Sequence, residues 1–208
     1  MSELADFLAQ SVVLHHHLCP RQVLGVRMGM VAALLLDLEL PQGDKRLYTF
    51  VETDGCFADG VMVATGCSLG HRTLRLIDYG KVAATFVDTL SERAVRIVPH
   101  RLARTRAIEY EPNIESHWRA QLEAYQIMPL TELFQATEVT LNLSLKAVIS
   151  QAGLRVTCSV CGEEILNARE IRVGDQIVCQ SCGEESYWSA ARDIANSISV
   201  GRSAGGLT

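Results

Sequence analysis

The chain has 208 residues, 48% apolar and 21% charged, with a formal net charge of -5. That length holds one sizeable core plus a satellite without disulfide staples, and the acid excess argues against a broad cationic face of the kind that holds nucleic acid by counterion release. Seven cysteines, and an opening MSELADFLAQ that lacks the basic, apolar pattern of a secretory signal, lead us to expect reduced thiols in the cytoplasm, with CxxC spacing serving metal ligation rather than disulfides.

After a short opening helix, residues 12–18 read as extended, and Pro20 stands at the first position of the next helix, where its missing N–H is harmless. Over residues 22–38 the apolar side chains Val23, Leu24, Val26, Met30, Val31, Leu34, Leu35 and Leu38 cover most of a helical circumference. This predicts a central helix packed on several sides. Arg27, Asp37 and Glu39 interrupt the run, which suits a buried helix better than a membrane span. Pro41, Gln42 and Gly43 end it. Residues 46–53 alternate as a strand, with Tyr48 and Phe50 on one face and Leu47, Thr49 and Val51 on the other. A short helix is expected over 57–64 despite Gly60. Strands follow at 73–78, 82–88 and 94–98, the first two joined by a hairpin at Tyr79-Gly80. Residues 99–110 and 115–126 look helical, and 138–143 alternate again. Without a regular βαβ rhythm the expectation is an α+β core domain over residues 1–150. A small zinc-finger domain follows at 154–190, and then a mobile tail at 191–208.

The finger rests on Cys158-Ser-Val-Cys161-Gly and Cys179-Gln-Ser-Cys182-Gly. Each knuckle places two thiolates on one side of a tight turn, the convergence that tetrahedral zinc needs. Four buried free thiols, or a redox CxxC pair, is the plainer alternative. Val173-Gly174-Asp175 reads as a hairpin turn between the knuckles, and a helix carrying Tyr187 and Trp188 is expected from Glu184 onward. Knuckle, hairpin, knuckle and helix is the order of a treble clef or zinc ribbon. A closed four-sulfur site leaves no open coordination position, so such a zinc holds a fold together rather than performing chemistry.

In the larger domain, an extended 15–19 segment would put His15, His17 and Cys19 on one face, with His16 pointing away. Cys19 precedes a helix N-terminus, which favours a thiolate. Cys56 and Cys67 lie in a turn and a glycine-rich loop, with Asp54 and Asp59 nearby as hard ligands or partners for an imidazole. The alternative is that these cysteines and histidines are ordinary core residues. Arg93, Arg96, Arg101, Arg104 and Arg106 would clamp an anionic cofactor or form a solvated face, and Lys81 follows a turn near the same region. The sequence carries no Walker loop, GxGxxG or GxSxG.

Taken together, HHHLCPRQVLGVRMG, VETDGCFADGVMVATGCSLGHRTLRLIDYGKVAATF and the four-cysteine tail resemble the formylmethanofuran dehydrogenase FmdE family, over roughly residues 10–90 and 155–188. The family opening looks like F-H-G-H-x-C-P-G. His15, His17, Cys19 and Pro20 keep it, whereas Leu14, His16 and Arg21 depart from it. The resemblance implies an α+β core, a treble-clef finger found in some members, and an intertwined homodimer. It also implies a metal-capable core cluster, to which His17, Cys19 and Cys56 correspond most closely and His15 and Cys67 next. In the namesake complex the molybdenum or tungsten pterin chemistry belongs to other subunits. The expectation is therefore a cytoplasmic, homodimeric, metal-binding accessory protein, with structural zinc in the finger and a second metal ion in the core. Its finger is expected to dock a protein partner rather than nucleic acid or membrane. Two rivals are a metal-dependent enzyme, with Cys19 at the metal and His15 or Asp54 carrying protons, and a metal-sensing regulator acting through the finger.

Overall fold

Helix α2 (Pro20–Leu36) organises the larger unit of the computed structural model, which describes residues 4–145, 148 and 153–191. Pro20 opens it with Cys19 as N-cap, and Asp37, in the left-handed region at φ 55°, closes it by donating its N–H to the Ala33 carbonyl. The helix is buried on nearly every side, against α1 (Leu4–His15), α3 (Cys56–Thr65), α5 (His117–Ile127) and strands β3 (Ala84–Asp88) and β4 (Ala94–Pro99). Its contact with α3 is made by small residues. A Cβ on Gly25 would collide with the Phe57 carbonyl, and one on Gly60 with the Gln22 carbonyl. One on Gly29 would lie 2.8 Å from Ala64 Cβ. The two backbones therefore run against each other in the same direction, and their N-termini, Cys19 and Cys56, meet at one end.

A five-stranded sheet lies in the order β2-β1-β3-β4-β5. Strand β1 (Leu47–Val51), buried along its whole length, pairs parallel with β2 (Leu74–Leu76) after the α3 crossover and antiparallel with β3. This corrects the Tyr79-Gly80 hairpin: β2 and β3 are not neighbours. The N–H groups of Ile77, Tyr79 and Lys81 instead donate to the Val51 and Glu52 carbonyls, because β1, apolar on both faces, takes the centre between them. The last strand is also earlier than its alternation indicates. Strand β5 (Phe134–Glu138) follows the one-turn helix α6 (Leu130–Leu133), and pairing ends with Val139 N–H on Ala94, where β4 begins and the partner runs out. Helix α4 (Ala103–Tyr110) precedes α5, whose N-cap Ser116 accepts from Arg119 N–H. Among the described residues no helix is long and apolar enough to cross a membrane.

The turn after β3 is tied by Asp88, which is buried and accepts both Arg46 Nε at 3.0 Å and Nη2 at 3.2 Å, Ser91 Oγ at 2.7 Å and Leu90 N–H. The Arg46 guanidinium holds the Asp88 carboxyl down at about 2, against an ordinary value of 3.8. Because the folded value is the lower one, the stabilisation is fully present above the ordinary value and is lost as pH falls towards 2. Asp88→Asn should therefore cost about 2 kcal/mol at neutral pH. In urea titrations of both proteins, the gap should close between pH 4 and pH 2; a gap that is constant with pH would assign the loss to packing alone.

The chain divides into two compact units, Met1–Leu145 and Lys146–Thr208. In the second, β6 (Arg155–Thr157) pairs with β7 (Glu164–Leu166), and β8 (Ile171–Val173) pairs with β9 (Gln176–Val178) around Gly174 at φ 61°. The first CxxC lies in the β6–β7 turn. The second leads into α7 (Gln180–Gly183), with Cys179 as N-cap. The helix expected from Glu184 is thus one turn long and ends there: Glu184 is its C-cap, and Tyr187 (98% exposed) and Trp188 (54%) lie beyond it. The expected mobile tail falls, from residue 192, outside the described residues.

Candidate metal centre and core cavity

The four finger cysteines converge. One sulfur from each of Cys158, Cys161, Cys179 and Cys182 lies within 4.8 Å of all the others. Tetrahedral zinc at about 2.3 Å from each sulfur sets sulfur separations of about 3.8 Å. The Cys161 and Cys179 sulfurs are 3.8 Å apart. The Cys179 N–H donates to Cys158 Sγ at 3.3 Å, and backbone N–H groups of Cys161 and Cys179 draw the Cys158 thiol down to about 6. Cys182 moves the other way, up to about 12, chiefly through its hydrogen bond to the Cys179 sulfur. Four sulfurs this close cannot all ionise against one another unless a cation sits among them. Donor type, separation and N–H support all fit a closed metal site, and among the described residues no other His, Cys, Asp or Glu group converges as closely.

In the larger unit a cavity of about 590 Å³ has His17, Cys19 and Cys56 among its lining residues. The parallel packing of α2 on α3 brings the two thiols into the lining of this one cavity, near enough for Cys56 to act on the Cys19 thiol. The helix-N-terminus argument for a Cys19 thiolate is overturned: burial pushes the Cys19 thiol up, and the N–H groups of Gln22 and Arg21 only partly counter it. The extended segment is corrected too. Helix α1 runs to His15, the His16 N–H closes onto the Val12 carbonyl, and His16 sits at φ 66°, so the chain turns rather than alternates. His15 meets its neighbour by another route. Its Nδ1 lies 2.7 Å from Asp59 Oδ2 on α3, and its ring centroid 4.7 Å from that of His17.

The remaining candidates scatter. Cys67 is buried away from the cavity lining, its thiol raised by burial and donating to the Leu47 carbonyl at 3.3 Å. Asp54 is exposed and does not line the cavity, and Lys81 lies over the Tyr79 ring. Of the five arginines, Arg96 makes a bidentate pair with Glu52 at 2.6 and 2.7 Å, Arg93 faces Glu138, and Arg106 donates to the Glu132 carbonyl. Arg104 alone lines the cavity.

A family model described as "FmdE, Molybdenum formylmethanofuran dehydrogenase operon" matches residues 14–135. The chain belongs to the FmdE family. The crystal structure of a tungsten formylmethanofuran dehydrogenase FmdE-like protein from Syntrophus aciditrophicus is 18% identical and superposes with a TM-score of 0.58, covering 90% of this chain and 96% of that one. It supports an FmdE-like fold. A protein of Archaeoglobus fulgidus named "Probable S-adenosyl-L-methionine-binding protein" is 37% identical over 99 residues, 46% of this chain. The chain spans only 27% of that relative's length.

Within this FmdE core, the sequence reading missed one cavity wall. Trp118, Gln121 and Tyr125 line the cavity from α5, alongside Cys19 and Cys56 from α2 and α3. Their spacing of three and then four residues, a helical stripe with an aromatic at each end, is the signal that carries them.

Proposed function

We propose that this FmdE-family chain is a metal-binding accessory protein. In this reading zinc closes the four-cysteine module, a second metal binds in the core cavity at His17, Cys19 and Cys56, and the module docks a protein partner. It acts as a cytoplasmic homodimer. The observation that carries the core site is that two thiols and an imidazole, from two separate stretches of chain, line one cavity. Soft sulfur and imidazole donors suit zinc, copper or iron better than magnesium or calcium.

Metal content of the full chain tests this. Wild type should hold about two metal ions per chain, and the Cys19→Ser, Cys56→Ser double variant about one, with its fold retained. A double variant that keeps the wild-type metal content would remove the core site. Pull-down with wild type and Cys158→Ser tests docking, which requires a defined partner that the variant loses.

An enzyme reading draws on the His15–Asp59 pair, since a carboxylate on Nδ1 fixes an imidazole as proton carriers require. It requires turnover of a one-carbon or thiol compound that Cys19→Ser abolishes. The Archaeoglobus relative's name directs one further titration, with S-adenosyl-L-methionine.

A further inference from the structure

The metal reading uses only His17, Cys19 and Cys56 of the residues that line the core cavity. Its lining also includes Arg104 on α4 and Trp118, Gln121 and Tyr125 on α5. Arg104, Trp118 and Gln121 also line a second depression of about 400 Å³ along the same helices, so the two adjoin at these residues.

Its charge runs against that of the chain. Asp and Glu outnumber Lys and Arg by 24 to 19, yet no carboxylate lines either cavity, whereas Arg21 and Arg104 do. Neither guanidinium makes an ion pair among the described residues, in contrast to Arg46, Arg93, Arg96 and Arg155. An exposed arginine alone needs no ligand, because water solvates it. Tyr125 is different. It is 2% exposed, lines the cavity, and its hydroxyl makes no hydrogen bond among the described residues. That hydroxyl is not sealed in the core but opens on the cavity, where it is available to donate to or accept from a bound molecule. Arg104 is near enough to act on that phenol electrostatically. Trp118, half exposed, offers an indole face in the same wall.

We propose that this wall binds a small organic anion bearing a planar ring: the ring stacks on Trp118, and a carboxylate or phosphate oxygen is held by Arg104 and the Tyr125 hydroxyl. The rest of the molecule then reaches His17, Cys19 and Cys56. Arginine suits this task because its planar fork matches both oxyanions and its charge does not titrate. The proposal rests on the reading of this cavity as the ligand site, but not on a metal being there.

The test uses the full chain with Trp188→Phe, so that indole fluorescence reports Trp118. Benzoate and AMP serve as ring-bearing anions, benzamide and adenosine as their uncharged counterparts, and acetate and phosphate as anions without a ring. Saturable quenching is expected from benzoate or AMP, at least ~10-fold tighter than from its uncharged counterpart, with acetate and phosphate weaker still. Which of the two binds separates a carboxylate from a phosphate ligand. Arg104→Gln should abolish the preference for the anion, and Tyr125→Phe should weaken it. The same preference is expected in the Cys19→Ser, Cys56→Ser variant, so a core metal can fail while the anion site stands. The proposal is overturned if neither anion saturates, if the uncharged compounds bind as tightly, or if Arg104→Gln leaves the preference intact.

Discussion

Chelating the metal from the four-cysteine module should unfold residues 153–191 and leave residues 4–145 folded. Among the described residues the module's buried apolar cluster is Cys158, Ile165 and Val178, with Val156, Ile171 and Ile177 packed partly against it. Each ordered residue loses roughly 1.5 kcal/mol of conformational freedom, far more in sum than three buried side chains supply. A structural zinc site contributes on the order of 10–16 kcal/mol at neutral pH, which is the scale required. Amide exchange, followed with and without a zinc chelator, should show protection vanishing in β6–β9 while β1, β3 and α2 keep theirs. Cys158→Ser should have the same effect, because it removes one of the four converging sulfurs. Protection of β6–β9 that survives chelation would mean that the two hairpins fold on their own and that the cysteines are not their scaffold.

This centre was legible in the sequence because each half is local. CxxC on a tight turn fixes two sulfurs whatever the rest of the chain does, and the hairpin turn at Gly174 brings the halves together. The α2 helix was legible too, since a helix apolar around its circumference has to be buried. The core cavity was only half legible. Its thiols come from residues 19 and 56 and other lining residues from 104–125, so tertiary packing alone brings them to one cavity. The histidine segment misled for a physical reason: alternation has meaning only in an extended chain, and the α1 hydrogen bonds carry the helix through to His15. The β2–β3 hairpin failed similarly. A turn sequence such as Tyr79-Gly80 does not decide which strand fills the place beside it, and β1 fills it.

The second large effect is expected at Gly60. The sequence holds Gly25-Val-Arg-Met-Gly29 and Gly60-Val-Met-Val-Ala64, small residues four apart on each helix, and these surfaces face each other in the α2–α3 contact. An added methyl at Gly60 would meet the Gln22 carbonyl and lie 3.0 Å from Val26 N. Both are backbone atoms of a helix packed on several sides, so neither can move aside independently. Alanine is the better helix former by ~0.8 kcal/mol, but overpacking a rigid contact typically costs about 1–3 kcal/mol. Gly60→Ala should therefore destabilise the larger unit by about 1 kcal/mol net. Gly43→Ala is the matched control, since a Cβ there meets nothing within 4 Å, and should change stability by less than about 0.5 kcal/mol. Urea midpoints of the two variants measure the difference. Thiol accessibility then links it to the site, because Cys19 and Cys56 meet only while α2 and α3 touch. Prising the helices apart should make the buried Cys19 react faster with a thiol reagent in Gly60→Ala than in wild type. If Gly60→Ala matches wild type in both stability and Cys19 reactivity, the helices do not pack backbone to backbone, and the cavity lining built from their N-termini is not held as described.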